Sequence, residues 1–196
     1  MAPARGASAA AALATAFVLA LCGAPLMAGT GQTDTRVRLP AGAGAAAAPL
    51  EPLAPLPEGV AVLAQNPPAA DPDRAAVAAV VELQAALLRA EHGGDADAVL
   101  ARALPGSPAA AALAEHLAED RPAPVGRFVF HHIAVGRYTA DLVQIDACLD
   151  RTAVVPAPAE PVQWTGYTLR REGEGWRAAA ILTDPVGPGP DTRCGG

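Results

Sequence analysis

Residues 122–137, PAPVGRFVFHHIAVGR, decide the fold. Ahead of this stretch the apolar residues recur at helical spacing, and behind it they alternate. Phe128, Phe130 and His132 alternate with Val129, His131 and Ile133, the two-residue period of a β-strand. Across a Gly136-Arg137 break, Leu142, Gln144, Asp146 and Cys148 alternate with Val143, Ile145 and Ala147 in a second strand. A proline-rich loop, VVPAPAEP, leads to a second strand pair, Val162 to Arg171 and Trp176 to Thr183. Glu172-Gly173-Glu174-Gly175 between them is a short glycine-bearing hairpin turn.

Upstream, the signals are helical. Asp71 reads as an N-cap, Pro72 suits the first turn and Asp73 complements the helix dipole. From Arg74 to His92, the residues Val77, Val80, Val81, Gln84, Leu87 and Leu88 fall along one face. Gly93-Gly94 ends this helix, and Asp95 caps a short one through Leu104. After Pro105-Gly106, Ser107-Pro108 opens a third helix to about Asp120. Helices followed by an antiparallel sheet of about four strands define an α+β domain over residues 71–185, with a tail at 186–196. Within the last hairpin Tyr167 and Leu169 share one face, and Trp176, Ala178, Ala180 and Leu182 share one face of the next strand. Trp176 can bury some 200 Å², so the expectation is that Trp176→Ala unfolds this aromatic-poor domain.

The front of the chain carries a different message. Arg5 is the only charge before Asp34, and Ala9 to Leu21 is a continuous apolar run of signal-peptide length. Residues 1–28 have three readings: a signal peptide cleaved after Ala28, a lipoprotein signal modified at Cys22, or an uncleaved membrane anchor. Leu21 departs from the lipoprotein pattern, which requires a small residue before the cysteine. Pro25 weakens a membrane span, and Arg36 and Arg38 place positive charge on its outer side. Cleaved secretion is therefore favoured over anchorage, with an extracytoplasmic location in either case. Residues 29–70 are rich in Ala, Pro and Gly and read as a disordered spacer, with Gly59 to Leu63 able to pack on the domain as a short arm.

Composition narrows the function. The chain has 196 residues and a formal net charge of −6. Removing residues 1–28 takes away Arg5 and no acid, leaving −7. An acidic chain without basic clusters is unsuited to nucleic acid, and any membrane contact falls to the N-terminal segment alone. All 14 basic residues are arginine, which together with abundant Ala, Gly and Pro follows the codon bias of a GC-rich genome. If Cys22 leaves with the signal, Cys148 and Cys194 remain as an even pair in an oxidising compartment, the arithmetic of one disulfide.

The N-terminal helices, the strand Ile145-Asp146-Ala147-Cys148-Leu149-Asp150 and the hairpin from Tyr167 to Arg177 resemble secreted actinobacterial proteins of the nuclear transport factor 2-like superfamily. The resemblance covers roughly Arg74 to Asp184. It implies a curved sheet wrapped around helices as a cone, here reduced, because extra strands between the second and third helices are missing. It also implies, in enzymatic members, an inward Asp/His dyad, for which His132 and Asp146 are the candidates.

Adjacent strand residues point to opposite faces, so His131 and His132 are not expected to ligate one metal together, and His132 is expected inward beside Phe128 and Phe130. Asp150-Arg151 reads as a solvated pair in a turn. His92 and His116 lie at helix ends, where an imidazole complements the dipole. No metal-ligand spacing, dinucleotide loop or Ser/His/Asp or Cys/His arrangement is present, so no metal or cofactor is assigned. The first expectation is an exported, non-enzymatic accessory or binding module with a protein partner in an envelope or secretion assembly. The alternative is a small-molecule binder or enzyme with the His132/Asp146 pair at the floor of its pocket.

Overall fold

The computed structural model describes residues 47–185 and Cys194. Residues 1–28 with Cys22, read above as an export segment, the first part of the expected spacer and the remainder of the tail lie outside the described residues. The element order is β1 (Val60–Ala64), α1 (Asp71–Glu91), α2 (Ala96–Leu100), α3 (Pro108–Ala118), β2 (Gly126–Thr139), β3 (Leu142–Asp150), β4 (Val162–Glu172) and β5 (Gly175–Pro185). It is an α+β architecture, with helices packed against a curled five-stranded sheet.

Strand order follows chain order. β1 pairs parallel with β2, and every other neighbour is antiparallel. Of the spacer expected to be disordered over residues 29–70, the last part is thereby corrected, and the short arm expected at Gly59 to Leu63 packs on the domain as β1. Val60 to Ala64 is β-prone and apolar, Val62 and Ala64 are buried, and Leu50 bridges back to Ala64. Helical and strand pairing signals in a flanking segment this short depend on the neighbouring strand, which composition does not reveal.

Helix boundaries follow local chemistry. α1 begins with Ala70 at the N-cap and no side-chain cap, so Asp71 lies one position further in than expected. Asp71 and Asp73 still place negative charge in the first turn, where the dipole favours it. At the other end Gly93, at φ +86°, lets its own N–H reach Ala90 and that of Gly94 reach Arg89, both at 2.9 Å. The carboxylate of Asp95 accepts from the Asp97 N–H at the start of α2, and the Ser107 hydroxyl accepts from the Ala110 N–H at the start of α3. α2 stops at Leu100, short of the expected Leu104. The chain after it instead bonds to Ala178 on both sides, from the Leu104 N–H and to the Arg102 carbonyl, and so covers the edge of β5.

The core lies between the helices and one face of the sheet. Phe128, Phe130, Val143, Ile145, Leu149, Tyr167, Leu169 and Ala178 meet Val77, Val80, Val81 and Leu88 of α1 and Leu113 of α3. Phe130 and Tyr167 touch edge to face at 6.3 Å. Trp176 is only partly buried at the margin, which corrects the expectation that it dominates the core.

Two irregularities reset the alternation. In β2, His131 pairs with Cys148 and Ala134 with Asp146, so His132 and Ile133 together face one residue, a β-bulge. Beyond it the inward residues are Ile133 and Val135, while His132 sits exposed at φ +51°. In β5, Thr168 pairs with Ala180 and Leu169 with Ala178, which leaves Ala179 as the extra residue. Ile181 therefore packs on the core, and Leu182, expected inward, is exposed. The expected break at Gly136-Arg137 is also absent, since β2 runs through to Thr139. On the sheet face opposite the core, buried Cys148 is joined to Cys194, with Cα atoms 5.5 Å apart.

Candidate functional site

The curl of the sheet leaves a cavity of about 650 Å³ between its inner face and the helices. α1 supplies Leu83, Gln84, Leu87 and Leu88, and α3 supplies Leu113. The sheet adds Phe128, Leu149 and Ile181, and the 151–158 loop closes one side with Val154 and Pro156. This is a mostly apolar pocket of the size that takes one small molecule.

Its polar groups sit at two places. The first is the sheet wall where β3 ends. Residues of one strand face recur every second position, so Arg151 follows Ile145, Ala147 and Leu149 on the inner face. Leu149 pairs with Gln163 and Ala147 with Thr165, which brings Arg151, Gln163, Thr165 and Tyr167 to neighbouring positions on the cavity wall. The Arg151 guanidinium bonds the Glu160 carbonyl at 2.6 Å and makes no ion pair among the described residues. Its Nε and the Thr165 hydroxyl are buried without a hydrogen-bond partner. Burial lowers the Arg151 pKa, opposed by the charges of Glu160 and Tyr167. Burial pushes the Tyr167 hydroxyl up, opposed by Arg151, so the phenol stays neutral.

The second place is the rim. His116 of α3 meets Glu91 of α1 through Nε2 at 2.7 Å, and Arg121 approaches its Nδ1 at 3.3 Å. An arginine N–H can only donate, so Nδ1 accepts and Nε2 carries the proton given to Glu91. Both ring nitrogens are thus engaged, and the imidazole lining the cavity keeps no free lone pair to take a proton from a ligand.

The expected dyad does not form. His132 is exposed at the bulge, and Asp146 lies on the other sheet face, where its carboxylate accepts from Gln144 at 2.9 Å. Two causes act: the bulge moves His132 off the inward phase that Phe128 and Phe130 establish, and the regular alternation of β3, with Ile145 and Ala147 inward, turns Asp146 outward. The two histidines instead touch each other, with ring centroids 4.7 Å apart, in a separate cavity of about 500 Å³ shared with Gln65, Asn66, Arg127 and Asp150. Asp150 and Arg151, expected as a solvated pair, part company: Asp150 lies by His131 and Arg151 enters the inner cavity. Among the described residues, no three His, Cys, Asp or Glu side chains are placed to hold a metal ion.

The pocket's polar residues were missed in the sequence apart from one trace. Gln84 stands within an otherwise apolar helical stripe, and it lines the cavity. His92 behaves as a helix-end residue, its Nδ1 2.8 Å from the Leu88 carbonyl.

No protein-family model matches the chain, and no curated protein matches it. Among solved structures the chain is similar to a protein provisionally described as an aromatic ring hydroxylase from Novosphingobium aromaticivorans. The identity is 16% and the TM-score 0.40, over 56% of this chain and 88% of that one.

Proposed function

We propose that this protein is an exported, non-enzymatic binding module that holds a small apolar molecule inside a reduced cone of the nuclear transport factor 2-like type. The carrying observation is the 650 Å³ cavity, with apolar walls and the unpartnered Thr165 hydroxyl buried in its lining. A buried hydroxyl without a partner is costly and is relieved by a largely apolar ligand that brings one polar group to it. The engaged state of His116 and the separation of His132 from Asp146 favour binding over proton-transfer chemistry. Export, and presentation to a protein of an envelope or secretion assembly, belong to the same proposal and rest on the sequence of residues 1–28.

The test is titration of the full chain with N-phenyl-1-naphthylamine, a neutral apolar fluorophore. One saturable site is expected, and Ala112→Trp, at an exposed lining position, is expected to abolish it without loss of fold. Absence of a saturable site, or binding indifferent to Ala112→Trp, overturns the reading. The mass of the chain recovered from its native host separately reports cleavage after Ala28, lipidation at Cys22, or neither.

A further inference from the structure

We infer that the ligand is an apolar monocarboxylic acid, its carboxylate received by Arg151 and Thr165 and its body by the leucine-lined part of the cavity. This rests on the reading of the cavity as a binding site and specifies its chemistry.

Charge decides the head group. A buried cation is normally paired, because desolvation of an unpaired charge costs several kcal/mol. Arg151 is half-buried and has lost water from Nε, and among the described residues its side chain bonds only the main-chain carbonyl of Glu160. The Glu160 carboxylate, whose charge acts on Arg151, accepts from the Gln163 amide at 3.3 Å and makes no ion pair with Arg151. Arg151 and Thr165 line one wall of the cavity, and each holds an unused donor, the Nε–H and the hydroxyl, covered by neighbouring atoms, which an anion would engage through a turn of the two side chains.

The competing head groups fit less well. A cationic ligand has Glu91 as its acid, but that carboxylate already accepts from His116. A neutral ligand adds nothing to the Glu160 charge and carbonyl that Arg151 already has. A multiply charged anion needs more than one free cation, and the other lining arginine, Arg121, is occupied by Glu119 and His116. One free guanidinium beside a hydroxyl suits a single negative charge. The remaining lining from α1 and α3 is mainly Leu83, Leu87, Leu88 and Leu113, with Gln84 as a neutral polar group and Glu91 and His116 bonded to each other, so the rest of the molecule is largely hydrocarbon or aromatic.

The experiment is calorimetric titration of the full chain at neutral pH with decanoate and with decan-1-ol, which share a chain and differ in the charge. Decanoate is expected to bind about tenfold or more tightly than decan-1-ol, as one charge-assisted hydrogen bond in a desolvated site supplies. Arg151→Gln is expected to remove that preference, with decanoate affinity falling about tenfold or more, to that of decan-1-ol. Thr165→Val, which keeps the shape, is expected to weaken decanoate alone. In the native chain the preference should also vanish as acidification neutralises decanoate, a readout that needs no variant to fold. Equal affinities in the native chain, or a preference that survives Arg151→Gln, overturn the carboxylate assignment. If the neutral fluorophore still binds in that case, the cavity reading stands; if it does not, both fall.

Discussion

His131 and His132 are consecutive in β2, yet their rings meet with centroids 4.7 Å apart and planes at 63°. Consecutive strand residues point to opposite faces, so this contact exists only because the bulge turns His132 into a left-handed conformation at φ +51°. A β-carbon costs energy at that angle, and glycine carries no such cost. His132→Gly is therefore expected to raise stability by about 0.5–1 kcal/mol, and His132→Val to lower it by about 1–2 kcal/mol. Urea unfolding of the two variants against the native chain measures both. A loss of stability in His132→Gly would show that the ring contact outweighs the backbone strain.

Acidification should weaken the same corner. Burial lowers the pKa of His131, the neighbouring charge of His132 adds to this, and Asp150 opposes it. Burial pushes Asp150 up, but the Thr152 N–H and hydroxyl, with the charges of His131 and Arg127, hold it below its ordinary value. Both folded values lie below the unfolded ones, so both groups bind fewer protons in the native state. Their stabilisation is present above the unfolded values, near 6.5 and 3.8, and is lost as the pH falls through the folded ones. Denaturation midpoints should thus fall in two steps below about pH 6.5 and again below about pH 4. In His132→Asn the His131 titration, followed by proton NMR of the ring, should move upward. An unmoved titration would remove the like-charge contribution.

Phe130 and Trp176 should exchange the importance that size alone suggests. Phe130 is 1% exposed and packed against Tyr167, whereas Trp176 lies partly buried at the margin opposite Arg171. Phe130→Ala is expected to cost about 3–5 kcal/mol and Trp176→Ala less than about 2 kcal/mol. Chemical denaturation followed by circular dichroism ranks them, and the opposite order would contradict the placement of Trp176.

The disulfide closes a loop with a sequence separation of 46 residues. In the loop-entropy account a closure of that length stabilises by about 4 kcal/mol. Cys194→Ser is expected to lower stability by about 2–4 kcal/mol with little change in the native sheet, because Cys194 lies outside the named elements. Matching denaturation curves for the variant and the native chain would mean that the bridge does not constrain the unfolded state.

What the sequence made legible follows from locality. The glycine stop after α1, the Ser107 and Asp95 caps and the Gly173-Glu174 turn depend on neighbours in sequence, and each appears where its residues place it. The strand faces were legible only as far as the first bulge. Phe128 and Phe130 point inward as their alternation implies, and His132 does not, because nothing in FVFHHI marks which residue becomes the extra one. That one-residue shift took His132 out of the inner cavity, while Asp146 faces away from it through the plain alternation of β3. Arg151, expected as half of a solvated pair in a turn, enters the cavity for a related reason. Whether it faces solvent or the cavity depends on β3 continuing its phase past Asp150 and on the 151–158 loop folding over it, both of which are long-range facts.

Gly126 joins the fold to the site, and it offers the sharpest test of that loop. It opens β2 at φ +128°, its N–H bonds the Gly59 carbonyl at 2.9 Å, and the flanking Val125 pairs with Val155 of the loop. A β-carbon there would lie 2.1 Å from the Ala153 carbonyl oxygen and 2.8 Å from the Val154 Cα, and neither is the end of a flexible side chain. Gly126→Ala must therefore push the loop away from β2 or distort the strand, at an expected cost of about 2–4 kcal/mol. Displacing the loop also moves Arg151, Val154 and Pro156, which line the cavity. The variant should accordingly lose decanoate binding at temperatures where circular dichroism still shows it folded. Gly136→Ala, where a β-carbon meets nothing within 4 Å, should leave decanoate binding unchanged. Retention of native binding by Gly126→Ala would mean that the loop does not shape the cavity.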